Sequence, residues 1–141
     1  MKGGIYLEIK GKKIGFVLTG SFCTFRKVIP KMKEILQQGA EILPIMSFNS
    51  YHLDTKFGKA KDMIEEIEEI TGRKIIHTIV DAEPIGPKKI TDIMIIAPCS
   101  GNTMSKLACD IIDTPATMAA KSHLRNNRPL VIAPSTNNGL S

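Results

Sequence analysis

Five consecutive apolar residues, Ile93-Met94-Ile95-Ile96-Ala97, run directly into Pro98-Cys99-Ser100-Gly101-Asn102-Thr103. An apolar run this short, with no polar alternation, has the pattern of a strand buried on both faces. Such strands belong to parallel sheets covered by helices on each side. The run is also far short of the roughly 20 residues that a membrane-spanning helix needs. The rest of the chain fits the same plan. Lys13–Leu18 is rich in β-formers, and residues 41–47 predict a second strand, where Pro44 either argues against a strand or sits where its missing donor is not required. Residues 75–80 are β-branched and predict a short strand, and residues 130–133 predict the last one. Between the strands lie segments of helical period. Val28, Ile29, Met32, Ile35 and Leu36 share one face over residues 24–38, with Pro30 in the second turn and Gly39 as the stop. Met63, Ile64, Ile67 and Ile70 do the same over residues 59–71, opposite the carboxylates of Glu65, Glu66, Glu68 and Glu69. A helix is expected over residues 104–108, and another over 115–124, with Thr114 as its cap and Pro115 in its first turn. Residues 49–58 and 81–89 carry the polar, Gly and Pro content of loops.

Strands alternating with helices predict an α/β fold: a Rossmann-like, doubly wound parallel sheet in a three-layer αβα arrangement. A chain of 141 residues, 43% hydrophobic and 23% charged, holds one domain, 1–141. Glu8 and Lys10 interrupt the apolar stretch that a signal peptide would need, so a cytoplasmic location is expected. The net charge of +5 is spread along the chain, and aromatics make up only 5% with no Trp, which argues against a base-stacking nucleic-acid surface. Cys23, Cys99 and Cys109 form neither a disulfide set nor a CxxC pattern. His52, His77 and His123 have no ligand spacing, so no metal is expected.

In an open parallel sheet, ligands bind beyond the carboxyl ends of the strands. The loops expected there begin at Thr19, Ser47, Pro98 and Pro134, and all four carry small polar residues. Gly20 permits a tight turn and close backbone approach, while Ser21 and Thr24 bring hydroxyls to a helix N-terminus, a ready site for an anion. The loop is neither GxGxxG nor GxxxxGK[ST], which favours a mononucleotide phosphate over a pyrophosphate. Ser100, Gly101, Asn102 and Thr103 leave little apolar surface over the most buried strand, and Asn102 both donates and accepts, matching a flavin edge or a carboxylate. The alternative is that both loops simply cap helices. Cys23, near a helix N-terminus, is a candidate for a reactive thiol, and Cys99 stands on the same rim. His77 reads as structural, and Asp81 and Glu83 as solvated.

The segment from Ile96 through Pro98-Cys99-Ser100-Gly101-Asn102-Thr103 to Ala108 resembles the PASANT-type motif of the flavoprotein superfamily, which includes cysteine-peptide decarboxylases and flavin prenyltransferases. Within it, four stretches resemble the B subunits of dipicolinate synthase. They are the stretch from Gly15-Phe16 through Thr19 to Thr24, Ala82-Glu83-Pro84-Ile85-Gly86-Pro87-Lys88, Met118-Ala119-Ala120-Lys121 and Ser135-Thr136-Asn137-Asn138. The resemblance implies a chain that binds FMN, self-assembles or pairs with the synthase's A subunit, and helps oxidise a dihydrodipicolinate-level intermediate to dipicolinate. The setting would be the mother-cell cytoplasm of a sporulating bacterium, with NAD(P) on the partner subunit. Gly20, Ser21 and Ser47 would face the phosphate, Ser100, Gly101, Asn102 and Thr103 would line the flavin, and Asn137 would contact the dicarboxylate substrate. Members of this family usually continue further, so the last helix and strand are expected to be missing and a sheet edge to be open. Pro134 and Asn137 match the decarboxylases' PxMNxxMW clamp, but its Met and Trp are absent, and no Arg stands where the prenyltransferases carry one. Two alternatives remain: a flavin-dependent decarboxylase, and a non-catalytic partner subunit that has lost the cofactor.

Overall fold

The computed structural model describes residues 8–20, 22–55 and 58–135, the side chains of Phe22 and Cys23 excepted. Four strands, β1 (Lys13–Leu18), β2 (Glu41–Met46), β3 (Ile93–Cys99) and β4 (Leu130–Pro134), form one parallel sheet in the order β2-β1-β3-β4. The expected α/β fold is therefore present. In this order the direction of winding reverses between β1 and β3, the place where such sheets open a crevice. Six helices accompany the strands: α1 (Phe22–Gln37), α2 (Phe48–His52), α3 (Ala60–Thr71), α4 (Ile79–Ala82), α5 (Gly101–Ala108) and α6 (Pro115–Leu124).

Side-chain alternation splits the core into two layers. Phe16, Leu18, Ile42 and Met46 point to one face and pack against Phe25 and Met32 of α1 and Ile67 of α3. Val17, Ile45, Met94 and Ile96 point to the other and meet Ala82, Ile85 and the Ala116, Ala119 and Ala120 stripe of α6. Small residues on α6 let that helix approach the sheet closely. Pro44 lies on β2, the edge strand, opposite Phe16. Its carbonyl accepts from Ile76 N at 2.9 Å, so the residue that cannot donate still contributes an acceptor.

Several local expectations are corrected. Residues 75–80 do not make a strand; Ile76 forms a single bridge to Ile45, and Thr78 caps α4 by accepting from Asp81 N. Residues 49–58 contain all of α2 but its first residue, and residues 81–89 contain the end of α4, a 3-10 turn at Glu83–Ile85 and a turn to Lys89. β3 runs past Ala97 to Cys99, and its burial is one-sided. Met94 and Ile96 are buried, whereas Ile93, Ile95 and Ala97 are half-buried because the α1 and α3 layer covers them only in part. β4 is the other outer strand, with Val131 and Ile132 51% and 38% exposed, and no described element lies beyond it. No described helix is long and apolar enough to cross a membrane.

Candidate functional site

Three strand exits converge at the carboxyl edge of the sheet. After β1, Thr19 turns into Gly20, whose φ of +74° is the left-handed conformation that a Cβ disfavours. A Cβ there would also stand 3.0 Å from Ser100 Cβ, so the two loops touch. They are tied by one hydroxyl: Thr19 Oγ1 donates to Pro98 O at 2.8 Å and accepts from Ser100 N at 2.9 Å.

After β3, helix α5 begins at Gly101, three residues earlier than expected, because Ser100 is its cap. Ser100 Oγ accepts from Thr103 N at 3.1 Å and donates to Thr103 Oγ1 at 2.9 Å. After β2, Ser47 does the same for α2, accepting from Ser50 N at 3.2 Å and donating to Ser50 Oγ at 3.0 Å. These hydroxyls are thus largely committed to holding helix ends. Caps satisfy only part of a helix N-terminus, which presents N–H groups with no intrahelical partner. In α5, Thr103 N and Met104 N are satisfied at Ser100, leaving the N–H groups of Gly101 and Asn102 without a partner among the described residues. In α2 those of Phe48 and Asn49 are left in the same way.

The loops enclose a cleft of about 290 Å³. Gly20, Ser47, Ser100, Asn102 and Thr103 all line it, as expected. Gly101 lies between two lining residues but not on the wall. Ser21, the Cys23 side chain and Asn137 lie outside the described residues. Phe48, 40% exposed, adds an apolar ring to the mouth, and Asn102 is exposed with no side-chain hydrogen bond among the described residues.

Four wall residues were missed: Phe48, Asn49, Lys106 and Thr114. Lys106 is the only charged residue of the described wall, and its Nζ donates to Asp113 Oδ1 at 2.9 Å. The signal was present in the spacing. Once α5 starts at Gly101, Asn102 and Lys106 stand one turn apart on one face. Thr114 caps α6 in a reciprocal box with Thr117.

Cys99 does not stand on a rim loop. It is the last residue of β3 and fully buried, and burial pushes its thiol up to about 11. A thiol so placed is inert at neutral pH. Among the described residues, no cluster of three or more potential metal ligands exists. A larger groove of about 520 Å³ between α4 and α6 is walled by Ile79, Val80, Ile112 and Met118 together with Glu83, Lys121 and Arg125, and takes nothing from the strand exits.

The comparisons with known proteins agree with this fold. A match to the flavoprotein family spans residues 5–140. The chain is 49% identical over 133 residues to the dipicolinate synthase B subunit of Bacillus subtilis (strain 168), covering 94% of itself and 66% of that relative. It thus spans a little less than two-thirds of that relative's length. Among solved structures it resembles the dipicolinate synthase B subunit from Bacillus halodurans, with a TM-score of 0.83 and 42% identity over 96% of this chain and 69% of that one. It also shares the fold of Burkholderia xenovorans DmrB, a cubic protein cage for redox transfer solved in complex with FMN. There the TM-score is 0.68 with 17% identity, over 87% of this chain and 65% of that one. The chain belongs to the flavoprotein family, beside the B subunits of dipicolinate synthase.

Proposed function

We propose that this chain is an FMN-binding B-type subunit of a dipicolinate synthase. With an A subunit that carries NAD(P), it takes part in oxidising a dihydrodipicolinate-level intermediate to dipicolinate, in the cytoplasm of a sporulating mother cell. The observation that carries the reading is the cleft at the point where the sheet reverses direction, in a chain 49% identical to the Bacillus subtilis B subunit. The residues present suit a flavin. Two helix N-termini with unused N–H groups and a lysine provide for a phosphate, and Phe48 and Asn102 provide a ring face and a two-way hydrogen-bonding amide for a planar heterocycle. At about 290 Å³ the cleft is near the lower bound of small-molecule sites, roughly 300 Å³.

Bound FMN would supply a two-electron acceptor, which no side chain of this protein can replace. The chain's part is to hold and orient. Gly20 lets the β1 loop lie against Ser100, Ser47 and Ser100 fix the helix ends, and Asn102 meets the heterocycle or a substrate carboxylate. Ser21, Cys23 and Asn137 remain candidates for phosphate, substrate-proximal and dicarboxylate contacts. Self-association into a homo-oligomer belongs to the same reading.

The test is a visible absorption spectrum of the purified protein before and after FMN, followed by dipicolinate formation on mixing with an A subunit. Flavin bands and a requirement for both chains support the proposal. A folded, colourless protein that takes up no FMN yet raises the A subunit's activity points instead to a partner without cofactor. Carbon dioxide released from a cysteine-terminated peptide would point to the decarboxylase reading.

A further inference from the structure

Lys106 sits in an unusual position for a helix-surface lysine. Its side chain is only 23% exposed, and it lines the cleft with Ser100, Asn102, Thr103 and Thr114. No acidic residue lines the described wall. The ammonium is paired with Asp113, whose own side chain is 59% exposed. A pair this open to water contributes little, so its carboxylate is readily exchanged for another anion. One turn before Lys106 on the same helix face, Asn102 is exposed, with its amide unbonded among the described residues. An ammonium and a free amide, stacked along one wall above unused helix N–H groups, make a composite acceptor for a charged oxygen group.

We propose that Lys106 is the cleft's anion-binding residue, its ammonium exchanging Asp113 for an anionic group of the ligand. This rests on the function proposed above, where that group is either the phosphate of FMN or a carboxylate of the substrate. Asp113 then acts as a placeholder that keeps the lysine extended toward the cleft while the site is empty. The competing explanation is structural. Lys106 lies in the last turn of α5, where a cation also complements the helix dipole.

The experiment compares ligands that differ by one anionic group, FMN against riboflavin and dipicolinate against picolinate, on the wild type, Lys106→Met, Lys106→Arg and Asp113→Asn. Flavin affinity is read by fluorescence quenching and pyridine-carboxylate affinity by calorimetry. Lys106→Met should weaken binding of the fuller anion of one pair about tenfold and leave its truncated analogue unchanged. The pair that responds identifies the group as phosphate or carboxylate. Lys106→Arg should restore most of the loss, and Asp113→Asn, by removing the competitor, should tighten the same ligand severalfold. Equal weakening of both members of each pair, or no change in either, overturns the assignment. If Lys106→Met does not fold, Asp113→Asn decides alone, and unchanged affinity there overturns it too. A wild type that binds none of the four ligands defeats the proposed function and this inference together. Wild-type binding that Lys106→Met leaves at full strength defeats only the inference.

Discussion

The two ends of the sheet are both polar, but they use polarity differently. At the amino ends of the strands the buried side-chain polar groups of the described residues are paired. His123 is fully buried at the end of α6, where its Nε2–H donates to Pro129 O at 2.8 Å and its Nδ1 accepts from Thr91 Oγ1 at 2.7 Å. The carbonyl can only accept, which fixes the tautomer of the neutral ring. Arg128 donates to Thr91 O at 2.7 Å, and Asp92 Oδ2 accepts from Lys13 N at 2.8 Å, stitching β1, β3 and β4 together. Nearby, Ser122 Oγ donates to Glu83 O at 2.6 Å and accepts from Gly86 N, locking α6 to the turn after the 3-10 segment. Among the described residues no buried side-chain nitrogen or oxygen lacks a partner. At the carboxyl ends, by contrast, the hydroxyls cap helices. There the N–H groups of Gly101, Asn102, Phe48 and Asn49 and the Asn102 amide have no partner among the described residues. A closed network stabilises a fold, and an open one is available to a ligand.

If that division is right, changes at the amino end should act on stability alone. The largest loss is expected for Gly86→Ala, because a Cβ would lie 2.3 Å from Ser122 O, a backbone atom that cannot swing aside. About 3 kcal/mol should be lost in urea unfolding. Thr91→Val keeps the shape but leaves His123 Nδ1 buried and unpaired, which should cost about 2 kcal/mol. Burial holds the pKa of His123 below its ordinary value of 6.5. The unfolded chain therefore takes up the proton first as pH falls. Stability is full above about 6.5 and declines as pH drops through that value, and a His123→Gln variant should show a flatter decline in thermal melts.

Changes at the carboxyl end should separate stability from binding. Gly20→Ala forces a left-handed Cβ toward Ser100 and should cost about 1–2 kcal/mol of stability, with a parallel loss of FMN affinity because the cleft wall shifts. Asn102→Asp is the sharper test. An acid in the first turn of α5 should stabilise the fold by about 0.3–1 kcal/mol through the helix dipole, while a charge beside the ring weakens FMN about tenfold. Opposite signs in the two assays would mark a binding residue. Equal FMN affinity for both proteins would remove Asn102 from the site.

The sheet was legible because its signals are long-range and redundant. The apolar run at Ile93 and the helical stripes that stop at Gly39 and Gly72 point together to one architecture. What escaped was shorter than the period of any pattern. α2 and α4 have five and four residues, too few for an apolar stripe, and each is nucleated by a hydroxyl cap. The same spacing recurs around the cleft, at Ser47 with Ser50, Ser100 with Thr103 and Thr114 with Thr117. Taken as a cap signal, that spacing starts α5 at Gly101 and brings Lys106 beside Asn102. The spread of five candidate residues over three loops was legible, since strand exits in a parallel sheet share one edge. The partial exposure of β3 was not, because coverage of a strand depends on helices far away in sequence.

The Thr19 hydroxyl, which bridges Pro98 O and Ser100 N, has a consequence for the energetics of recognition. It couples the exits of β1 and β3 into one rigid rim, so an arriving molecule need not freeze two independent loops. The ordering entropy that usually offsets small-ligand contacts is already spent during folding. A Thr19→Val rim would leave a ligand with the same contacts but a less favourable entropy of association.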